Sequence, residues 1–147
     1  RYQGLELNAS VDATPDLTVE GSIMSLDSAY RDAGDGVNGN RAAGAAHYQA
    51  AYQVTYRVPT VQGLYLHTGA QRIGEMAVDS GNVNTLPAYS LFDAGAGYRL
   101  SLAGGHALTF GANLTNLANK KYWTYYQENY LQPGSPRTLS LNTRYDF

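Results

Sequence analysis

Cysteine is absent from these 147 residues, which excludes a disulfide scaffold and a thiolate metal site and fits an oxidising compartment. Lysine is scarce: Lys120 and Lys121 are the only two, and the formal net charge is -2. That balance offers no basic surface to nucleic acid. No apolar run reaches the length of a membrane-spanning helix, and no useful stretch carries a 3.6-residue period. Membranes stay open all the same, because barrel strands cross as alternating segments of about ten residues. The turns do not add up to a repeat of fixed period either.

Catalytic and metal-binding patterns are equally thin. His47, His67 and His106 lie far apart, without the paired spacing of a zinc site. No Gly-x-Ser-x-Gly elbow is present to favour a Ser-His-Asp hydrolase. The stretch from Asp32 to Asn40, with Asp35 and Asn38, has the composition of a calcium loop but neither its spacing nor its closing glutamate. It reads as solvated loop charge. Gly95 and Gly97 fall in mid-strand, where glycine permits close approach, and Gly104-Gly105 is a turn; neither pair is a phosphate loop. The expectation is a protein that is not an enzyme and binds no metal or cofactor through its own side chains.

What the chain does have is alternation. From Leu139 the end reads Leu139, Leu141, Thr143, Tyr145, Phe147 on one side and Ser140, Asn142, Arg144, Asp146 on the other. Period two is the mark of a strand with one apolar and one polar face. The same alternation predicts strands over Tyr2 to Asp12, Leu17 to Tyr30, Ala46 to Val58, Gly63 to Arg72, Pro87 to Leu100 and His106 to Asn116. It is cleanest in the third, where Tyr48, Ala50, Tyr52, Val54 and Tyr56 oppose Gln49, Ala51, Gln53, Thr55 and Arg57. The connections run short, long, short, long, short, long. That rhythm belongs to an up-and-down meander with tight turns at one end and long loops at the other. A β-sandwich would mix turn lengths and cross in Greek keys. Thirteen tyrosines suit the aromatic girdles of a membrane barrel.

The fold expected is therefore all-β, an antiparallel transmembrane wall of about seven strands. An open sheet of seven strands is not stable in lipid. Each edge would leave about five N–H and five C=O groups in hydrocarbon, a cost on the order of tens of kcal/mol. The chain also begins at Arg1 without Met or a secretory signal and enters directly on strand-like sequence. Residues 1–147 are accordingly expected to be part of a larger barrel.

Three segments carry a resemblance to a known family: Asn113-Leu-Thr-Asn116-Leu-Ala-Asn119-Lys-Lys-Tyr122-Trp123, Pro133-Gly-Ser-Pro136-Arg137-Thr138 and the terminal Arg144-Tyr-Asp-Phe147. They are similar to the tail of TonB-dependent outer-membrane receptors, most of all the ferric-siderophore receptors, and Leu86 to Asp93 extends the likeness. Ala118 departs from the family, which more often has Phe or Thr there. The resemblance implies a barrel of about 22 strands with this segment as its last seven. The plug and the part that touches TonB would then lie upstream. It implies iron carried as a siderophore chelate, with ferric siderophore, TonB, the barrel-assembly machinery and outer-membrane lipid as partners. The cargo stays open at this point among siderophore, haem, cobalamin and sugar.

Site expectations follow from the long loops. Residues 120–130 hold Tyr122, Trp123, Tyr125, Tyr126 and Tyr130 beside Lys120, Lys121 and Glu128, a mixture suited to stacking and cation–π contact with a chelate. Tyr122 and Trp123 are read first as interface aromatics; Tyr125, Tyr126 and Tyr130 divide between ligand contact and loop packing. Arg31 and Arg41 in the first long loop would steer an anionic chelate. Leu139, Leu141, Tyr145 and Phe147 resemble the terminal signal read by the assembly machinery. Two rival readings remain beside this one. One is a small eight-stranded outer-membrane barrel, an adhesin or rim-site enzyme, with Lys121 to Tyr126 as its eighth strand. The other is a soluble carbohydrate-binding β-domain.

Overall fold

Alternation does what it predicts, strand after strand. In the computed structural model, which describes residues 1–34 and 36–147, the elements in chain order are β1 (Tyr2–Thr14), β2 (Leu17–Ser28), β3 (Tyr48–Arg57), β4 (Leu64–Ile73), β5 (Met76–Ala77), β6 (Thr85–Leu86), β7 (Tyr89–Ser101), β8 (Ala107–Thr115), β9 (Trp123–Gln127), β10 (Tyr130–Pro133) and β11 (Thr138–Asp146). Seven of them form one antiparallel sheet in the order β1-β2-β3-β4-β7-β8-β11. All seven expected strands are present. The second stops at Ser28 rather than Tyr30; Ala29 still exchanges backbone hydrogen bonds with Arg1 on one side and bridges Arg41 of the first long loop on the other.

Register carries the two faces across the whole sheet. One transverse row reads Val11, Val19, Val54, Thr68, Ala94, Leu114, Leu139, each directly opposite the next. The adjacent row reads Asp12, Thr18, Thr55, His67, Gly95, Asn113, Ser140. A slip of one residue anywhere would exchange these rows, so the pattern specifies the pairing. The apolar face is uncovered: Leu5 is 82% exposed and Leu141 74%. Among the described residues no second layer packs on the sheet. β1 and β11 stand at the two edges of the sheet.

Tight connections at 15–16, 58–63 and 102–106 lie at one end, together with Phe147; the loops at 29–47, 74–88 and 116–137 lie at the other. The last two loops each contain a small hairpin, β5 with β6 and β9 with β10. The strand expected over Lys121 to Tyr126 thus exists in part as β9, but it pairs with β10 and not with the wall, so it supplies no eighth barrel strand. Sequence reading missed this hairpin because aromatics obscure the alternation. The local sign was Asn129, which takes the left-handed turn at φ 63°. The buried apolar cluster also sits in the loops rather than in the sheet: Ala46, Met76, Val78 and Leu86, with Ile73 and Tyr125 against them.

Candidate ligand-binding site

The three long loops are laced into one body by side chains that bond distant backbone. Asn82 Nδ2 donates to the carbonyl of Arg41 at 2.9 Å while its Oδ1 accepts the Arg41 N–H at 2.8 Å. Asn40 Nδ2 donates to the Ser80 carbonyl at 2.9 Å, a second tie between the first and second loops. Glu128 Oε1 accepts the Ser80 N–H at 2.8 Å, and the Asn129 N–H donates to the Val78 carbonyl, joining the second loop to the third. Asp79, 8% exposed, organises the tip of the second loop by accepting the N–H groups of Val83 and Asn84 at 3.0 and 2.9 Å. Those bonds, led by that from Val83, hold the Asp79 carboxyl below its ordinary value. The bonds from Ser80 lower Glu128 likewise.

A knot at Asn116 fixes the root of the third loop. This asparagine is 3% exposed and left-handed at φ 50°. Its Nδ2 donates to the carbonyls of Lys120 and Ser135, both at 2.9 Å, and its Oδ1 accepts the Lys120 N–H at 2.8 Å. Asn119 Oδ1 accepts the Arg137 N–H at 3.1 Å. These two asparagines of the Asn113 to Trp123 motif therefore clip the start of the loop to the approach of β11. Asn113 acts elsewhere, with its Oδ1 3.1 Å from His67 Nε2 on the polar face of the sheet.

The expected loop residues differ in their surroundings. Tyr126 and Tyr130 are open to solvent, 67% and 61% exposed, on β9 and at the start of β10. Tyr125 is half-buried and joins the apolar loop cluster, where burial pushes its phenol up. Tyr122 packs on Tyr89, ring centroids 4.6 Å apart, whereas Trp123 is 55% exposed. Arg41 pairs with Glu75 at 3.6 Å, and Arg31 is exposed in the same loop. Asp35 lies outside the described residues. Among the described residues no group of three His, Asp or Glu side chains converges as a metal site would require.

The family description "TonB dependent receptor-like, beta-barrel" matches residues 1–117. The chain belongs to the TonB-dependent receptor β-barrel family. Among its relatives, the ferrichrome receptor FcuA of Yersinia enterocolitica is 31% identical over 150 residues, covering 100% of this chain and 20% of that protein. The ferrioxamine B receptor of Salmonella typhimurium is 30% identical over 122 residues, covering 82% and 17%. The solved structure of BauA, the ferric preacinetobactin receptor of Acinetobacter baumannii, superposes with a TM-score of 0.88 at 28% identity, covering 99% of this chain and 22% of that one. The chain thus spans about a fifth of the length of these receptors. As the wall of a TonB-dependent receptor barrel it lies in the outer membrane, its apolar face toward lipid and its polar face toward the lumen.

Proposed function

We propose that this wall and its loops belong to a transporter, not an enzyme, that takes up a ferric siderophore across the outer membrane. The likeness to the ferrichrome receptor over the whole segment, loops included, is the observation that supports this most. In this reading residues 1–147 are the C-terminal part of a barrel of about 22 strands. The plug and the contact with TonB belong to the rest of the protein. Further strands beside β1 and β11 are needed on physical grounds, since each unpaired edge group costs several kcal/mol in hydrocarbon.

The iron arrives wrapped in its chelate, so the loops need to recognise an organic surface rather than ligate metal. Tyr126 and Tyr130 offer ring faces and hydroxyls outward, and Tyr125 supports the hairpin beneath them. Arg31 and Arg41 add positive potential on the first loop. Tyr122 and Trp123 serve the outer membrane interface. Leu139, Leu141, Tyr145 and Phe147 present the terminal strand to the barrel-assembly machinery. The test is binding of ferric siderophores, ferrichrome and ferrioxamine B first, to the full-length receptor with Tyr126 and Tyr130 both changed to alanine. Loss of two stacking contacts, each about 0.5–1.5 kcal/mol, should weaken binding roughly 5- to 150-fold. No binding of any ferric siderophore by the unaltered receptor would overturn the proposal.

A further inference from the structure

Of the thirteen tyrosines in the sequence, the fold brings one pair of rings into contact. Tyr89 is the first residue of β7, directly opposite Ile73 at the end of β4. Tyr122 leads into β9, and its ring centroid lies 4.6 Å from that of Tyr89 at an interplanar angle of 32°. That separation is at the close end of the range of about 4.5–7 Å for aromatic pairs. Among the described residues no other two tyrosine rings meet in this way. Both rings are half-buried, and both are held. The Tyr122 carbonyl accepts the Gly134 N–H at 2.8 Å, and its ring occupies the space that a Cβ at Gly134 would need. Two residues earlier, Lys120 is bonded through its N–H and its carbonyl to the Asn116 carboxamide. Tyr89 is fixed from the other side by the β4–β7 ladder. These restraints keep the two rings together.

We propose that this contact is a site of oxidative modification, at which a one-electron oxidant formed from a peroxide joins Tyr89 and Tyr122 as a dityrosine. Each phenol gives up one electron and its hydroxyl proton, which leaves two phenoxyl radicals with spin on the carbons ortho to oxygen. One ortho carbon of each ring forms the new C–C bond. Each displaced ortho hydrogen then moves to its own ring's oxygen and restores the hydroxyl, so the product is two hydrogens lighter than the reactants. The two electrons break the peroxide O–O bond, and water takes the two protons. Proximity selects the pair, because holding two reactants in place turns a bimolecular step into an effectively unimolecular one. Exposure alone does not. Tyr126 and Tyr130, 67% and 61% exposed, are easier for an oxidant to reach, yet neither has a second tyrosine ring against it among the described residues. Since the Tyr122 carbonyl is bonded to Gly134, the cross-link fastens both the entry and the return of the third loop to β7.

The experiment exposes the full-length receptor in outer membranes to a brief light pulse with persulfate, itself a peroxide, and a ruthenium photosensitiser. Digestion and mass spectrometry follow. The expected product is a peptide pair joined through residues 89 and 122, two hydrogens lighter than its parts, in severalfold excess over every other tyrosine pair. Tyr89→Phe and Tyr122→Phe should each abolish it, since phenylalanine keeps the ring contact but has no phenol to oxidise. Unfolding the receptor in denaturant before the pulse should remove the preference. Cross-linking of other tyrosine pairs as well or better, a product joining two receptor molecules, or no dityrosine at all would overturn the proposal. So would a preference that survives unfolding, a readout that needs no variant to fold.

Discussion

The ring of Tyr125 in the third loop lies against Gly44 in the first, and Gly44 is left-handed at φ 77°. A Cβ at this glycine would stand 2.5 Å from ring carbons of Tyr125, and the Gly44 N–H donates to the Ala77 carbonyl of the second loop. One residue therefore meets both other loops. Gly44→Ala should cost about 1–2 kcal/mol for the backbone alone and more for the displaced ring. In the full-length receptor, hydrogen exchange should rise at residues 44 and 76–78 while the thermal transition of the barrel stays put. Unchanged exchange would mean the loops are held by something other than this contact.

Asn116 is the second place where one side chain carries a whole connection. Asn116→Ala removes three hydrogen bonds from a buried site and leaves two carbonyls and one N–H without their partner. The expected cost is about 3 kcal/mol or more. Limited proteolysis should cut within residues 117–137 at a much higher rate than in the parent receptor. Asn116→Asp keeps the acceptor for Lys120 but sets a carboxylate oxygen against the Lys120 and Ser135 carbonyls in a buried site, so it should be cut at least as fast as the alanine variant.

Acid should loosen the loop body before it affects the wall. Both Asp79 and Glu128 have carboxyls lowered in the folded loops, from ordinary values of 3.8 and 4.5. A lowered carboxyl stabilises the fold fully above its ordinary value, and that contribution is lost as pH falls through the lowered one. Protection of the Ser80, Val83 and Asn84 amides, corrected for intrinsic exchange, should be flat from pH 7 to about 5 and should fall below about pH 4. Glu128→Gln retains an acceptor for Ser80 without the charge, so the pH step at Ser80 should disappear while that at Val83 remains.

Phe147 is 98% exposed beyond the last ladder pair, with Tyr145 6.3 Å away centroid to centroid. A residue with so little to hold contributes little to the folded wall; its proposed use is recognition during assembly. Phe147→Ser should lower the amount of heat-resistant, surface-exposed receptor severalfold and leave the siderophore Kd of the assembled fraction unchanged. A normal surface level with weakened binding would place its role elsewhere.

Much of this molecule was legible because the pleat is a local property. Alternation along Tyr48 to Arg57 or Leu139 to Phe147 needs no knowledge of a partner, so the seven strands of the wall, their two faces and the rhythm of turns and loops follow from the amino-acid order alone. The Asn113 to Trp123 motif pointed to the family, yet its asparagines gave no sign of what they bond. Contacts across loops belong to tertiary structure. Tyr125 against Gly44, Glu128 on Ser80 and Asn82 on Arg41 join segments 41 or more residues apart, and only the meander brings their roots together. The gathering of Arg57, Arg99 and Arg144 in two neighbouring rows was equally hidden. Each arginine is an ordinary polar residue in its own strand, and the cleft they line exists only once register has set five strands side by side.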